Sequence, residues 1–130
     1  MTDGEPQAKL NLAKEQLNRV QTASSEPEDP EDGVIWAFYA YENAVVAGAE
    51  KAGIVWAKNH PSKQQAARDL HAAGHVSVDI SDELDRLNEL RKDVAYGEPG
   101  SDLKDEDLED LASELETFID EIAKFVESDG

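Results

Sequence analysis

The sequence predicts an all-α protein, a bundle of about five helices. Apolar residues recur at spacings of three and four over most of its 130 residues. Prolines, glycines and acidic residues interrupt this pattern where loops are needed. One segment, residues 77–80, resembles a short strand, but no other segment offers a strand to pair with it, so we expect a connector. A chain of this length suits a single domain with one core.

The first helix is expected over residues 7–22. Its apolar face repeats at helical spacing and comprises Leu10, Ala13, Leu17 and Val20. We assign residues 1–28 to this helix and the acidic loop after it. Residues 29–127 form the rest of the bundle, and residues 128–130 form a tail, all within one domain overall.

The second helix is expected over residues 30–52. Pro30 fits a first helical turn, where its missing N–H costs nothing, and Gly53 fits a C-terminal stop. Gly48 lies inside the helix, where glycine is unfavourable relative to alanine. We therefore expect another helix to pack closely against Gly48.

Three further helices follow from the same signals. The third is expected over residues 63–73, with Ser62 as its N-cap and Gly74 as its end. The fourth is expected over residues 81–96, and the fifth, which has the most continuous apolar stripe, over residues 105–126. Together these helices predict a bundle.

Composition and charge restrict the function. The chain carries 30 acidic and 12 basic residues, a formal net charge of -18, so it lacks a broad phosphate-binding surface. The charge provides solubility, or else a surface for a basic protein partner or a mimic of nucleic acid. There is no cysteine and no apolar run long enough to span a membrane. We expect a cytoplasmic protein with no cofactor.

The segment from Arg91 to Gly97 is the best functional candidate. Arg91 offers a fork of donors suited to phosphate or carboxylate, and Tyr96 offers a hydroxyl and a stacking face. If the last helical turn loosens, the two side chains come near each other. Arg91, Lys92, Asp93 and Tyr96 are therefore the candidate binding residues. The alternative is an arginine paired with a nearby acid and a tyrosine that plugs the end of the bundle.

The chain resembles the HEPN superfamily, the small helical domains of prokaryotic toxin–antitoxin and defence loci. The similarity rests on residues 37–44, the link at 58–60, the Leu-Arg to Tyr-Gly segment at 90–97, and a late helix with Phe-Ile at 118–119. It covers roughly residues 29–127. The resemblance implies a HEPN-like homodimer that places this motif at its interface.

Ribonucleases of this superfamily have an arginine, four to six other residues and then a histidine, but here Tyr96 takes the place of the histidine. Arg91 and Tyr96 are the candidate catalytic residues, although tyrosine, with a pKa of about 10, is a poor general base at neutral pH. The resemblance favours a non-catalytic partner of a toxin, a nucleotidyltransferase or a defence protein. The alternative is a metal-independent endoribonuclease that binds RNA through Arg91 at a dimer interface.

The sequence contains two other candidate arrangements of histidine and arginine. Arg68 and His75 also have the ribonuclease spacing, but Gly74 interrupts the helix between them. His60, His71 and His75 suggest a metal site, yet the zinc-protease pattern is absent, so no metal site is predicted. Trp36 and Trp56 are expected in the core or at an interface.

Overall fold

The computed structural model describes residues 4–25, 28–95 and 106–128, and the predicted all-α class is confirmed. Five α-helices lie within these ranges: α1 (Gly4–Ala23), α2 (Pro30–Ala52), α3 (His60–Ala72), α4 (Ser81–Ala95) and α5 (Leu108–Val126). The described ranges contain no β-strand. None of their helices combines the length and apolarity needed to cross a bilayer.

Helix α2 is the centre of the bundle, and each of the other four helices packs against it. Much of its length is buried, and many of its buried residues are small: Gly33, Ala37, Ala40, Ala44, Ala47, Gly48 and Ala49. Small side chains let neighbouring helices approach on several sides at once. The apolar face predicted for α1 is buried in the same core.

The close approach predicted at Gly48 is confirmed. A Cβ atom added there would lie 2.9 Å from the Cδ1 atom of Ile122 and 3.1 Å from the Cδ1 atom of Leu70. These side chains belong to α5 and α3, so Gly48 lies where three helices meet. The glycine therefore sets the spacing between α2 and its neighbours.

The predicted end of α2 is also confirmed. Gly53 adopts a left-handed backbone conformation with φ of 75°, and the N–H of Ile54 donates to the carbonyl of Ala49 at 2.8 Å. This geometry satisfies carbonyl groups that the helix leaves unpaired at its end. Glycine adopts a positive φ without steric cost.

Three predicted helix starts were wrong. Helix α1 begins at Gly4, three residues before the predicted position. Helix α3 begins at His60, because Asn59 rather than Ser62 is its N-cap: the Asn59 carbonyl oxygen accepts from the N–H of Ser62 at 2.8 Å. Pro61 fits this early start, since a first-turn proline loses no hydrogen bond.

Helix α5 begins later than predicted. Glu106 and Asp107 are not helical, and the Asp107 carboxylate accepts from the N–H of Asp110 at 3.0 Å as the N-cap of a helix that begins at Leu108. The acidic residues before Leu108 therefore precede the first turn rather than form it.

Residues 73–80 connect α3 to α4, which confirms the connector predicted at residues 77–80. The Glu121 carboxylate on α5 accepts from the Ser77 N–H at 2.7 Å and from its hydroxyl at 2.6 Å. At the other end the Asp79 carboxylate accepts from the N–H of Ser81 at 2.9 Å. These bonds hold the connector against the bundle without a strand.

Candidate functional site

Arg91 projects from α4 onto the ring of Phe38 on α2. Its guanidinium carbon lies 4.9 Å from the ring centroid, and its Nη2 donates to the Oδ1 atom of Asn88 at 2.8 Å. The side chain is half-buried, and its Nε has no hydrogen-bond partner in the described part of the chain. Among the described residues, Arg91 is therefore held by a neutral amide and an aromatic face rather than by an acid.

The other predicted binding residues do not converge on Arg91. Lys92 is exposed, and its Nζ lies 3.2 Å from a carboxylate oxygen of Glu89 on the same helix. Asp93 is half-buried. Neighbouring residues on a helix point about 100° apart. Tyr96 and Gly97 lie outside the described residues, as does the predicted contact between Arg91 and Tyr96.

His60, at the start of α3, lies against the same phenylalanine. The centroids of the Phe38 and His60 rings are 5.9 Å apart. The imidazole lies between two carboxylates: Nδ1 is 3.8 Å from an oxygen of Glu42, and Nε2 is 3.6 Å from an oxygen of Asp85. Neither nitrogen has a hydrogen-bond partner among the described residues. No local sequence motif relates His60 to Arg91.

Glu42 is a nearly buried carboxylate on α2, one helical turn after Phe38. Besides its approach to His60, it accepts from the Nζ of Lys63 at 3.4 Å. Three helices therefore bring one set of polar side chains around a single aromatic ring. We call this set the Phe38 cluster: Phe38, Glu42, His60, Lys63, Asp85, Asn88 and Arg91.

The Phe38 cluster has both the donors and the acceptors of a binding site. Arg91 and Lys63 supply cationic donors, and His60 can donate or accept. Glu42 and Asp85, however, flank the imidazole on both of its nitrogens. A phosphate that approached His60 would meet like charge from these carboxylates. The Phe38 cluster is therefore better suited to a partner that carries hydrogen-bond donors than to an anion.

Arg68 and His75, the second arginine–histidine pair, do not share a site. The Arg68 Nη1 donates to the side chain of Gln65 at 3.4 Å on the exposed face of α3. His75 follows Gly74, which has φ of 82°, and stacks on Phe125 of α5 with ring centroids 4.0 Å apart. The two side chains thus have different neighbours. Within the described ranges no three histidine, aspartate or glutamate side chains could hold a metal ion.

Both tryptophans are half-buried and pack against the core. The Nε1 of Trp36 donates to the Asp32 carboxylate at 3.1 Å, and the guanidinium carbon of Arg19 lies 4.5 Å from the Trp36 ring centroid. Trp36 therefore joins α1 to α2, while part of its ring remains at the surface.

Comparisons with protein-family models, with curated proteins and with solved structures found no match for this chain.

Proposed function

We propose that the chain is a HEPN-like binding protein, the non-catalytic partner of a toxin, a nucleotidyltransferase or a defence protein in the prokaryotic cytoplasm. The observation that carries the proposal is the position of His60 between the carboxylates of Glu42 and Asp85. Of the described histidines, it is the one that shares the Phe38 ring with Arg91. An RNA phosphate that approached His60 would be repelled by these carboxylates.

The charge of the whole chain supports the same proposal. A formal net charge of -18 repels a polyanion and attracts a basic surface. Arg91, the residue of the family-like motif, is engaged with Asn88 and Phe38, which suits a role in holding α4 and in contacting a partner. A protein with basic residues is therefore the partner class that we propose.

We also propose that the chain forms a homodimer, as the resemblance implies. Leu12 on α1 and Tyr39 on α2 are large apolar side chains that remain exposed. Tyr39 lies next to the Trp36 ring, at 6.1 Å between centroids. Aromatic residues are enriched at protein interfaces. A second copy that packed against this surface would bury Leu12 and Tyr39.

An RNA degradation assay with the purified chain tests the proposal. We expect no cleavage by the parent protein and no difference between the parent and Arg91→Ala. Cleavage by the parent that is lost in Arg91→Ala would contradict the non-catalytic assignment. Light scattering on the same samples gives the mass in solution and tests the dimer.

One observation favours the ribonuclease as a second candidate. Arg91 and His60 lie against the same ring, and the Arg91 Nε and both His60 ring nitrogens have no hydrogen-bond partner among the described residues. An enzyme that used this pair at a dimer interface would lose activity in His60→Ala and in Arg91→Ala. His75→Ala is the matched control, because His75 stacks on Phe125. Tyr96→Phe tests whether Tyr96, which takes the place of the histidine in the motif, contributes to cleavage.

A further inference from the structure

A small apolar groove lies on the face of the bundle formed by α2, the connector between α3 and α4, and α5. Its volume is about 210 Å³. Its apolar lining consists of Tyr41, Val78, Ile80 and Phe118, and Glu114 and Thr117 of α5 lie beside it. The volume suits one apolar side chain of a partner rather than a long segment.

Tyr41 belongs to the lining of this groove. The residue is 1% exposed, yet it lines the groove, and no hydrogen bond within the described residues engages its hydroxyl. Burial, and then the negative charges of Glu83 and Glu114, raise the pKa of Tyr41 well above its usual value. The hydroxyl therefore stays protonated at neutral pH and is available as a donor.

The wall of the groove is exposed and fixed in place. Val78 borders the groove and is 58% exposed. The hydrogen bonds from Ser77 to Glu121 hold the connector that carries it against α5. Because this wall is already held in place, a partner that docks there causes little further loss of conformational entropy.

The surface around the groove is negative. From Leu108 to Ala123, α5 carries six acidic residues and no lysine or arginine. Burial, and then the nearby charges of Glu83 and Asp110, raise the pKa of Glu114. Like charges are therefore crowded beside the groove. A partner that brought positive charge to Glu114 would relieve this repulsion.

We propose that this groove docks a basic segment of a partner protein, with one apolar side chain held by Tyr41, Val78 and Phe118 and flanking lysine or arginine residues near Glu114. The inference rests on the proposed function only in that it assumes a protein partner. A second copy of this chain is a poor occupant of this groove, because α5 is acidic from Leu108 to Ala123, and the homodimer proposed above uses a different surface, the one with Leu12 and Tyr39.

Fluorescence anisotropy with a labelled peptide tests the groove. The probe has one phenylalanine flanked on each side by two lysines, and its control has serine in place of the phenylalanine. We expect the probe to bind more tightly than its control. Val78→Ser should weaken binding about tenfold by removing apolar contact. Glu114→Gln should weaken it about threefold.

Two variants outside the groove are the matched controls. Val55→Ser removes a valine that is 93% exposed, and Glu116→Gln removes an exposed acid from the same helix as Glu114. Both should bind the probe as the parent does. Circular dichroism of each variant verifies its fold, and since Val78 and Glu114 are exposed, folding is expected to survive both changes.

The proposal is overturned if the serine peptide binds as well as the probe, or if Glu116→Gln weakens binding as much as Glu114→Gln. Either result would mean that charge alone attracts the peptide. Absence of probe binding at low salt would also overturn it. Such failures leave the non-catalytic assignment standing, because the RNA degradation assay tests that assignment separately.

Discussion

Arg91 and His60 show how far single residues could be predicted from the sequence. Arg91 stood out through a local motif, and the structure places it on the ring of Phe38. His60 reaches the same ring from α3, and no periodic relation links positions 38, 60 and 91 along the chain. Such a meeting depends on how three helices pack. Local spacing therefore identified Arg91 but suggested Tyr96, not His60, as its neighbour.

Glu114→Gln is expected to stabilise the protein at pH 7. Burial, Glu83 and Asp110 raise the pKa of Glu114 above its ordinary value of 4.5. The folded state therefore holds this proton more tightly than the unfolded state, and ionising the carboxyl costs stability. That cost is absent below pH 4.5 and develops as the pH rises through the folded pKa.

Thermal unfolding of the parent and of Glu114→Gln at several pH values measures this effect. The glutamine variant should have the higher Tm at pH 7, and the difference should vanish below about pH 4.5. Glu116→Gln, on the same helix, is the control for the general loss of one negative charge. A lower Tm for Glu114→Gln at pH 7 would contradict the assigned like-charge repulsion.

The presence of each helix could be predicted from the sequence, but its first residue was harder to predict. Apolar periodicity located all five helices, and α2 has the predicted bounds of Pro30–Ala52. The starts of α3 and α5 depended on which of several polar residues caps the helix. Asn59 and Asp107 fill that role by accepting backbone N–H groups. Several residues near each start have cap-forming side chains, so composition alone does not choose between them.

Gly48→Val is expected to lower the free energy of unfolding by about 2 kcal/mol, because the added carbons would overpack the junction of α2, α3 and α5. Even a single Cβ atom would come within 2.9 Å of Ile122 and 3.1 Å of Leu70. Urea denaturation measures the change. Ala52→Val, at the half-buried end of the same helix, controls for the lower helix propensity of valine. Equal effects of the two substitutions would show that packing at Gly48 does not limit stability.

The whole molecule combines a small-residue helix at its centre with a strongly negative exterior. Both features could be predicted, since the composition gives the charge and the spacing gives the bundle. The groove at Tyr41 and Val78 could not, because its lining comes from α2, the connector and α5. We propose that the molecule as a whole binds a basic protein and not RNA.

The most direct test of that claim is a titration of a labelled single-stranded RNA with the purified chain, followed by anisotropy at low salt, where attraction to phosphates is strongest. The net charge of -18 and the carboxylates around His60 predict no binding. The parallel titration with Arg91→Ala should be indistinguishable from that of the parent. Saturable binding of RNA by the parent, lost in Arg91→Ala, would contradict the account.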